Sequence, residues 1–186
     1  MNDDTPLRAE YANVAALTQA LTDVAESLSV EFDRWDEPYV SGPSLYFVVI
    51  ADVDFGDYSD PLGANTWPVG TCRVVTESAE DFLAAAREVA FGRDGAVIVT
   101  ADGTIQEQMV RVRSPDRLEV ENNEGIEYAD WMGTKHLSAV EISVREEVLA
   151  AVTVSEEDGR VSVFRDGTYE DYPQAELGGR WRDDRE

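Results

Sequence analysis

Val148-Leu-Ala-Ala-Val-Thr-Val-Ser-Glu-Glu-Asp-Gly-Arg-Val-Ser-Val-Phe164 decides the fold class. Val148 to Val154 is a β-rich apolar run, Glu157-Asp158-Gly159 is a turn, and Val161 to Phe164 is a second apolar run. Strands joined by so short a link pair antiparallel. Gly95 to Thr100 reads as another buried strand. Asp102-Gly103 is a second hairpin signal, followed by a strand over Thr104 to Val112. Between the two strand pairs, Gly133-Thr134 opens a helix expected to end around Glu147. Helices that interleave with strands, two of them paired through tight turns, predict an α/β chain with a mixed central β-sheet flanked by helices.

Toward the N-terminus the same pattern continues. Ser78 caps a helix, with Asp81 at the capping-box position, and Phe82, Leu83, Ala86, Val89 and Ala90 form its buried face. Leu45 to Ala51 is a continuous apolar strand of the buried kind. Thr71 to Thr76 reads as a strand with Cys72 as a small apolar residue at its beginning, and Asp52 to Gly70 and Ser114 to Tyr128 read as polar loops. Asp3, Asp4, Thr5 and Pro6 can start a helix. Val14, Leu17, Leu21, Val24 and Leu28 give it one apolar stripe to about Phe32. After Asp166-Gly167 the pattern fades, and Gly178 to Glu186 reads as a tail.

The charge bounds the partners. The chain has 186 residues, with 39 acidic against 15 basic side chains, a net charge of −24. Lys135 is its only lysine. An acidic surface almost without lysine suits molar salt, where the Debye length is about 3 Å and carboxylates hardly repel one another; a halophilic cytoplasm is therefore expected. No run is basic, which argues against nucleic acid. The single cysteine, Cys72, excludes an intrachain disulfide and a cysteine zinc site. Met1 to Pro6 is polar rather than signal-like, and Leu45 to Ala51 is too short to span a membrane. A soluble cytoplasmic protein with no membrane partner is expected. Asp52, Asp54, Asp57 and Asp60 lack the flanks of a Ca²⁺ loop.

Three short segments carry chemistry. Asp94-Gly95-Ala96 stands at the mouth of a strand. Gly133-Thr134-Lys135-His136 opens a helix and holds the only lysine beside the only histidine. Ser155-Glu156-Glu157-Asp158-Gly159 follows a strand. Singly, they are a turn, an N-cap and an acidic hairpin. Together they place a cation, free helix-start amides and carboxylates at element ends, where α/β sheets take ligands.

Their order and spacing resemble the diadenylate cyclase family, the nucleotide-binding domain of DisA and of the archaeal enzyme DacZ. The family pattern is Asp-Gly-Ala, then Gly-Thr-Arg-His-Arg-x-Ala, then Val-Ser-Glu-Glu-x-Gly. The likeness covers roughly Phe82 to Gly167, and with the composition it points to a haloarchaeal DacZ-type relative. It implies a diadenylate cyclase-like nucleotide-binding domain over 78–172, preceded by a helix–strand extension over 1–77 packed on the same sheet and followed by a tail over 173–186. It implies condensation of two ATP into cyclic di-AMP with a divalent metal, Mn²⁺ or Mg²⁺, in a face-to-face homodimer or higher oligomer. Asp94 would assist the attacking hydroxyl and hold metal, with Glu157 as a further metal contact. Gly95, Ala96, Gly133, Thr134, Lys135, His136, Ser155 and Glu156 would line the nucleotide pocket. The chain departs from the pattern twice: Lys135 replaces the first arginine and Leu137 the second. Lysine keeps the charge without the planar fork; leucine cannot bind phosphate, unless an arginine such as Arg93 or Arg111 substitutes. A catalytically degenerate ATP or cyclic di-AMP sensor is therefore the alternative.

Overall fold

A computed structural model of the chain describes residues 5–178. The hairpin is present: β5 (Val148–Val154) pairs antiparallel with β6 (Val161–Arg165). Its turn is closed by Gly159 N–H on the Ser155 carbonyl and Ser155 N–H on the Arg160 carbonyl, each at 2.9 Å. β1 (Leu45–Ile50) lies between β5 and β3 (Val97–Thr100), antiparallel to the first and parallel to the second. With β7 (Thr168–Tyr172) the sheet order is β3-β1-β5-β6-β7. The fold is the expected mixed sheet.

Strand alternation splits the core. Leu45, Phe47 and Val49 of β1 face α1 (Thr5–Glu31) and α2 (Ala79–Gly92), with Leu21, Leu28 and Phe82 against them. Tyr46, Val48 and Ile50 face α4 (Thr134–Ile142), with Ala139, Val140 and Ile142. Every residue of β1 is buried, and each such side chain contributes roughly 1.5–3 kcal/mol when taken from water. The stripe read along α1 packs on its own sheet. The cap expected from Asp3 and Asp4, and the tail beyond Gly178, lie outside the described residues.

Several expectations are corrected. The loop placed over Asp52 to Gly70 contains a 3₁₀ turn and β2 (Ser59–Thr66), which pairs with β4 (Gln108–Val112) in a separate two-stranded sheet. The Asp102-Gly103 turn forms, with Gly103 N–H on the Thr100 carbonyl at 2.8 Å. Past the turn the chain stays against β3 only through isolated bridges, Val99 to Ile105 and Ala96 to Val110, so only Gln108–Val112 of the expected strand is regular. Thr71 to Thr76 is turn structure with a single bridge, Val74 to Thr104. Cys72 is buried there, and its carbonyl accepts from Trp67 Nε1 at 2.7 Å. The loop after Ser114 holds α3 (Arg117–Asn122), started by a capping box of Asp116 and Glu119. α4 stops at Ile142, where Ser143 Oγ donates to Val140 O at 2.7 Å and accepts from Gly167 N at 2.9 Å. Asp166 (φ 50°) and Gly167 (φ 76°) both take left-handed backbone. That conformation suits a tight hairpin turn, and β7 follows where no strand was expected.

Candidate functional site

The three chemistry-bearing segments meet at one end of the sheet, at the start of β1 and β3 and the finish of β5. α2 ends at Gly92, and Arg93 caps it through its N–H on Val89 O at 3.0 Å. Asp94 then turns the chain into β3. Its carbonyl accepts from Asn65 Nδ2 at 3.1 Å, and its exposed carboxylate makes no hydrogen bond or ion pair among the described residues. Gly95 has φ +111°, and a Cβ there would lie 2.6 Å from Leu62 Cδ1 and 3.1 Å from Val110 O. Only glycine lets β2 and β4 close on this turn. Ala96 is locked to β4 by paired bonds with Val110 at 2.7 and 3.0 Å.

Lys135 is where the segments converge. From the first turn of α4 its Nζ donates to Ser44 Oγ and, at 3.4 Å, to the Val154 carbonyl. Burial holds its pKa below the usual lysine value, and the negative charges of Glu156 and Asp94 partly offset that. The three groups therefore share one electrostatic neighbourhood. Gly133 and Thr134 are exposed at the helix start, with no side chain capping it. Ser155 is buried and its Oγ accepts from Glu157 N at 3.4 Å; Glu156 O accepts from Gly42 N at 2.9 Å.

Other expected residues sit differently. His136 is 7% exposed and turned into the core, with its ring 5.0 Å from Trp131 and 6.4 Å from Phe164. Neither ring nitrogen has a hydrogen-bond partner, and burial depresses its pKa to about 4, with a smaller contribution from Lys135. Glu157 is exposed on the β5–β6 turn, and no contact joins it to Asp94. Leu137 is exposed. Arg93 is committed to the Thr66 carbonyl and hydroxyl and to Glu88, and Arg111 is exposed on β4. Sequence reasoning missed Ser44, Asn65 and Leu62. They precede the motifs, and only the placing of β1 between β3 and β5, and of β2 on β4, brings them here.

Among the described residues no three His, Cys, Asp or Glu side chains form a metal cluster. An exposed, unpaired carboxylate still fits a hydrated divalent ion, which needs one or two carboxylates when phosphate supplies the other oxygens. Asp94 is such a carboxylate.

The model of the family described as DisA bacterial checkpoint controller nucleotide-binding, DAC, matches residues 73–169, just over half the chain. The chain belongs to the DAC family. Asp94, Lys135 and Glu156 fall inside the DAC match; Ser44 and Asn65 fall outside it. A double mutant of DacA from Staphylococcus aureus is similar in structure, at 19% identity and TM-score 0.51, over 90% of this chain and 96% of that one. A hypothetical membrane spanning protein from Bacillus cereus is similar at 18% identity and TM-score 0.55, over 83% of this chain. The chain spans 62% of that structure's length. No curated protein sequence matches. Among the described residues of this DAC protein, no helix is long and apolar enough to cross a membrane.

Proposed function

We propose that this DAC-family protein condenses two ATP molecules into cyclic di-AMP. Each 3′-hydroxyl attacks the α-phosphorus of the other ATP, the bond to pyrophosphate breaks, and two pyrophosphates and the hydroxyl protons are released. The observation that carries the reading is the meeting of Asp94, Lys135 and Glu156 at one sheet end. Such a reaction needs positioning and neutralisation of phosphate charge more than covalent chemistry. Lys135, with the exposed amides of Gly133 and Thr134, supplies positive potential for the triphosphate. Gly95, Ala96, Ser155 and Glu156 shape the pocket. Asp94 orients the attacking hydroxyl and takes its proton. A divalent metal, Mn²⁺ or Mg²⁺, would be held by Asp94, with Glu157 as a further contact once nucleotide is bound, and would supply charge neutralisation on the phosphates. One ATP per subunit requires two subunits face to face. The net charge of −24 and the near absence of lysine support a halophilic cytoplasmic setting, and the lack of a basic run argues against nucleic acid.

The exposed Leu137, where the family pattern has arginine, favours a second reading: a sensor that binds ATP or cyclic di-AMP without cyclising. Incubation with ATP and Mn²⁺ or Mg²⁺ in molar KCl separates the two. Cyclic di-AMP by mass spectrometry is the expected product. ATP binding without product supports the sensor, and no response to ATP removes both.

Ser44 gives a test from outside the family match. Hydrogen bonds to charged groups are worth about 1.5–3 kcal/mol, so Ser44→Ala is expected to raise the apparent KM for ATP roughly tenfold or more, with kcat less affected. Ser44→Thr should restore it. Lys135→Ala should raise KM further. Unchanged KM in both alanine variants would remove Lys135 from phosphate binding.

A further inference from the structure

A second concave site lies at the other end of the sheet. A cavity of about 670 Å³ opens beyond the finishing ends of β1 and β3, against α1. Adjacent parallel strands β1 and β3 point their carboxyl ends into it, the position where open α/β sheets bind small molecules. β1 spans roughly 20 Å at about 3.3 Å per residue, so this cavity is separate from the Asp94–Lys135 end.

Its lining is apolar with a few placed charges. Val14, Leu149 and Val53 supply apolar wall; Asp52, Asp102 and Arg165 supply the charges. Asp102 is held ionised: its carboxylate accepts from Thr100 Oγ1 at 2.6 Å and Thr104 N at 3.0 Å, which lowers its pKa. Among the described residues Asp52 accepts only from the adjacent Val53 N–H. Among the described residues Arg165 is the one cationic residue in this lining. In a chain with 39 acidic side chains, Arg34, Arg87, Arg93, Arg113, Arg117 and Arg160 each pair with a carboxylate. Arg165 pairs with none among the described residues, as is true of Arg73, Arg111 and Arg145; of these four it alone lines the cavity.

We propose that this cavity is a second ligand site, for a small zwitterion with an apolar body, of amino-acid to dipeptide size. Arg165 takes the carboxylate, Asp52 and Asp102 take the ammonium, and Val14 and Leu149 cover the apolar part. A simple anion would face two carboxylates and a simple amine would face Arg165; a zwitterion satisfies both signs. The volume lies within the ordinary range for small-molecule sites.

Calorimetric titration of the full chain with leucyl-leucine, its N-acetyl form and its C-terminal amide tests this with no nucleotide present, so the result is independent of cyclisation. The free dipeptide is expected to bind saturably and each blocked form at least tenfold more weakly. Arg165→Met should weaken the dipeptide at least tenfold, to the level of the amide. Asp52→Asn should weaken the dipeptide and leave the N-acetyl form unchanged. Asp94→Asn, at the other sheet end, should leave dipeptide binding unchanged, and thermal melts confirm that each variant folds. Absence of saturable dipeptide binding, equal binding of the three peptides, or unchanged dipeptide binding in folded Arg165→Met overturns the proposal.

Discussion

Asp94→Asn is expected to abolish cyclic di-AMP formation, by at least about 10²-fold, while leaving the fold intact. A positioned proton acceptor contributes typically 10²–10⁴-fold, and an amide at this position neither accepts a proton from the 3′-hydroxyl nor brings a negative charge to a divalent ion. The structural cost is small for a specific reason. The carboxylate is exposed and makes no hydrogen bond or ion pair among the described residues, and the bond that fixes this turn runs from Asn65 Nδ2 to the Asp94 backbone carbonyl, which the substitution preserves. Surface changes of this kind lie within about ±0.5 kcal/mol of stability. Product formation and the thermal melt are measured on one preparation. A folded variant that retains activity removes Asp94 from the mechanism. ATP affinity should change little, because Lys135 keeps its bonds to Ser44 and Val154.

What could be read in the sequence divides by how local the cause is. The β5–β6 hairpin, β1 and the Ser78 cap are set by neighbours in the chain, and each falls where the pattern puts it; Asp81 N–H donates to Ser78 Oγ at 3.2 Å. β2 was not legible, because Ser-Asp-Pro-Leu-Gly-Ala-Asn-Thr has almost no strand preference. It is a strand because β4 offers it backbone partners, as between Asp60 and Arg111. β7 is a polar edge strand, and its clue was the Asp166-Gly167 turn. The clue to α3 was the Asp116 and Glu119 pair, a capping signature inside a stretch otherwise read as loop.

The site divides in the same way. Asp94, Lys135 and Glu156 were visible because each lies in a short segment with its own logic, and the fold brings all three into one electrostatic neighbourhood. Ser44 and Asn65 were invisible because topology alone recruits them. This gives the segment before the family match a role: β1 and β2 carry the groups that hold Lys135 and the Asp94 turn. The direction of His136 was readable after all. His136, Ala139 and Val140 stand at i, i+3 and i+4, the spacing of one helix face, and all three are buried.

That burial makes His136 an acid-sensitive point of the fold. Its ring lies between Trp131 and Phe164 with neither nitrogen hydrogen-bonded, and its pKa falls from the ordinary 6.5 to about 4. Burial is the main cause. Lys135 and Arg160 act in the same direction, and Asp158 and Asp171 oppose them. In the folded chain the ring stays neutral until about pH 4, whereas in the unfolded chain it takes a proton below about 6.5. The unfolded state therefore binds more protons in that window, and stability falls as pH drops through it. At about 1.4 kcal/mol per pKa unit the loss reaches about 3 kcal/mol, a large share of a typical 5–15 kcal/mol. His136→Leu removes this dependence and keeps an apolar group against Trp131. Urea unfolding at pH 7, 5.5 and 4.5 should show the wild-type curve descending relative to the variant by about 2 kcal/mol, the part of that loss that falls above pH 4.5. Parallel curves would mean that the ring is already hydrated or paired. ATP titration of the same variant assigns the residue: retained affinity places His136 in the packing behind the proposed phosphate site, and lost affinity in a folded variant places it in the proposed nucleotide pocket.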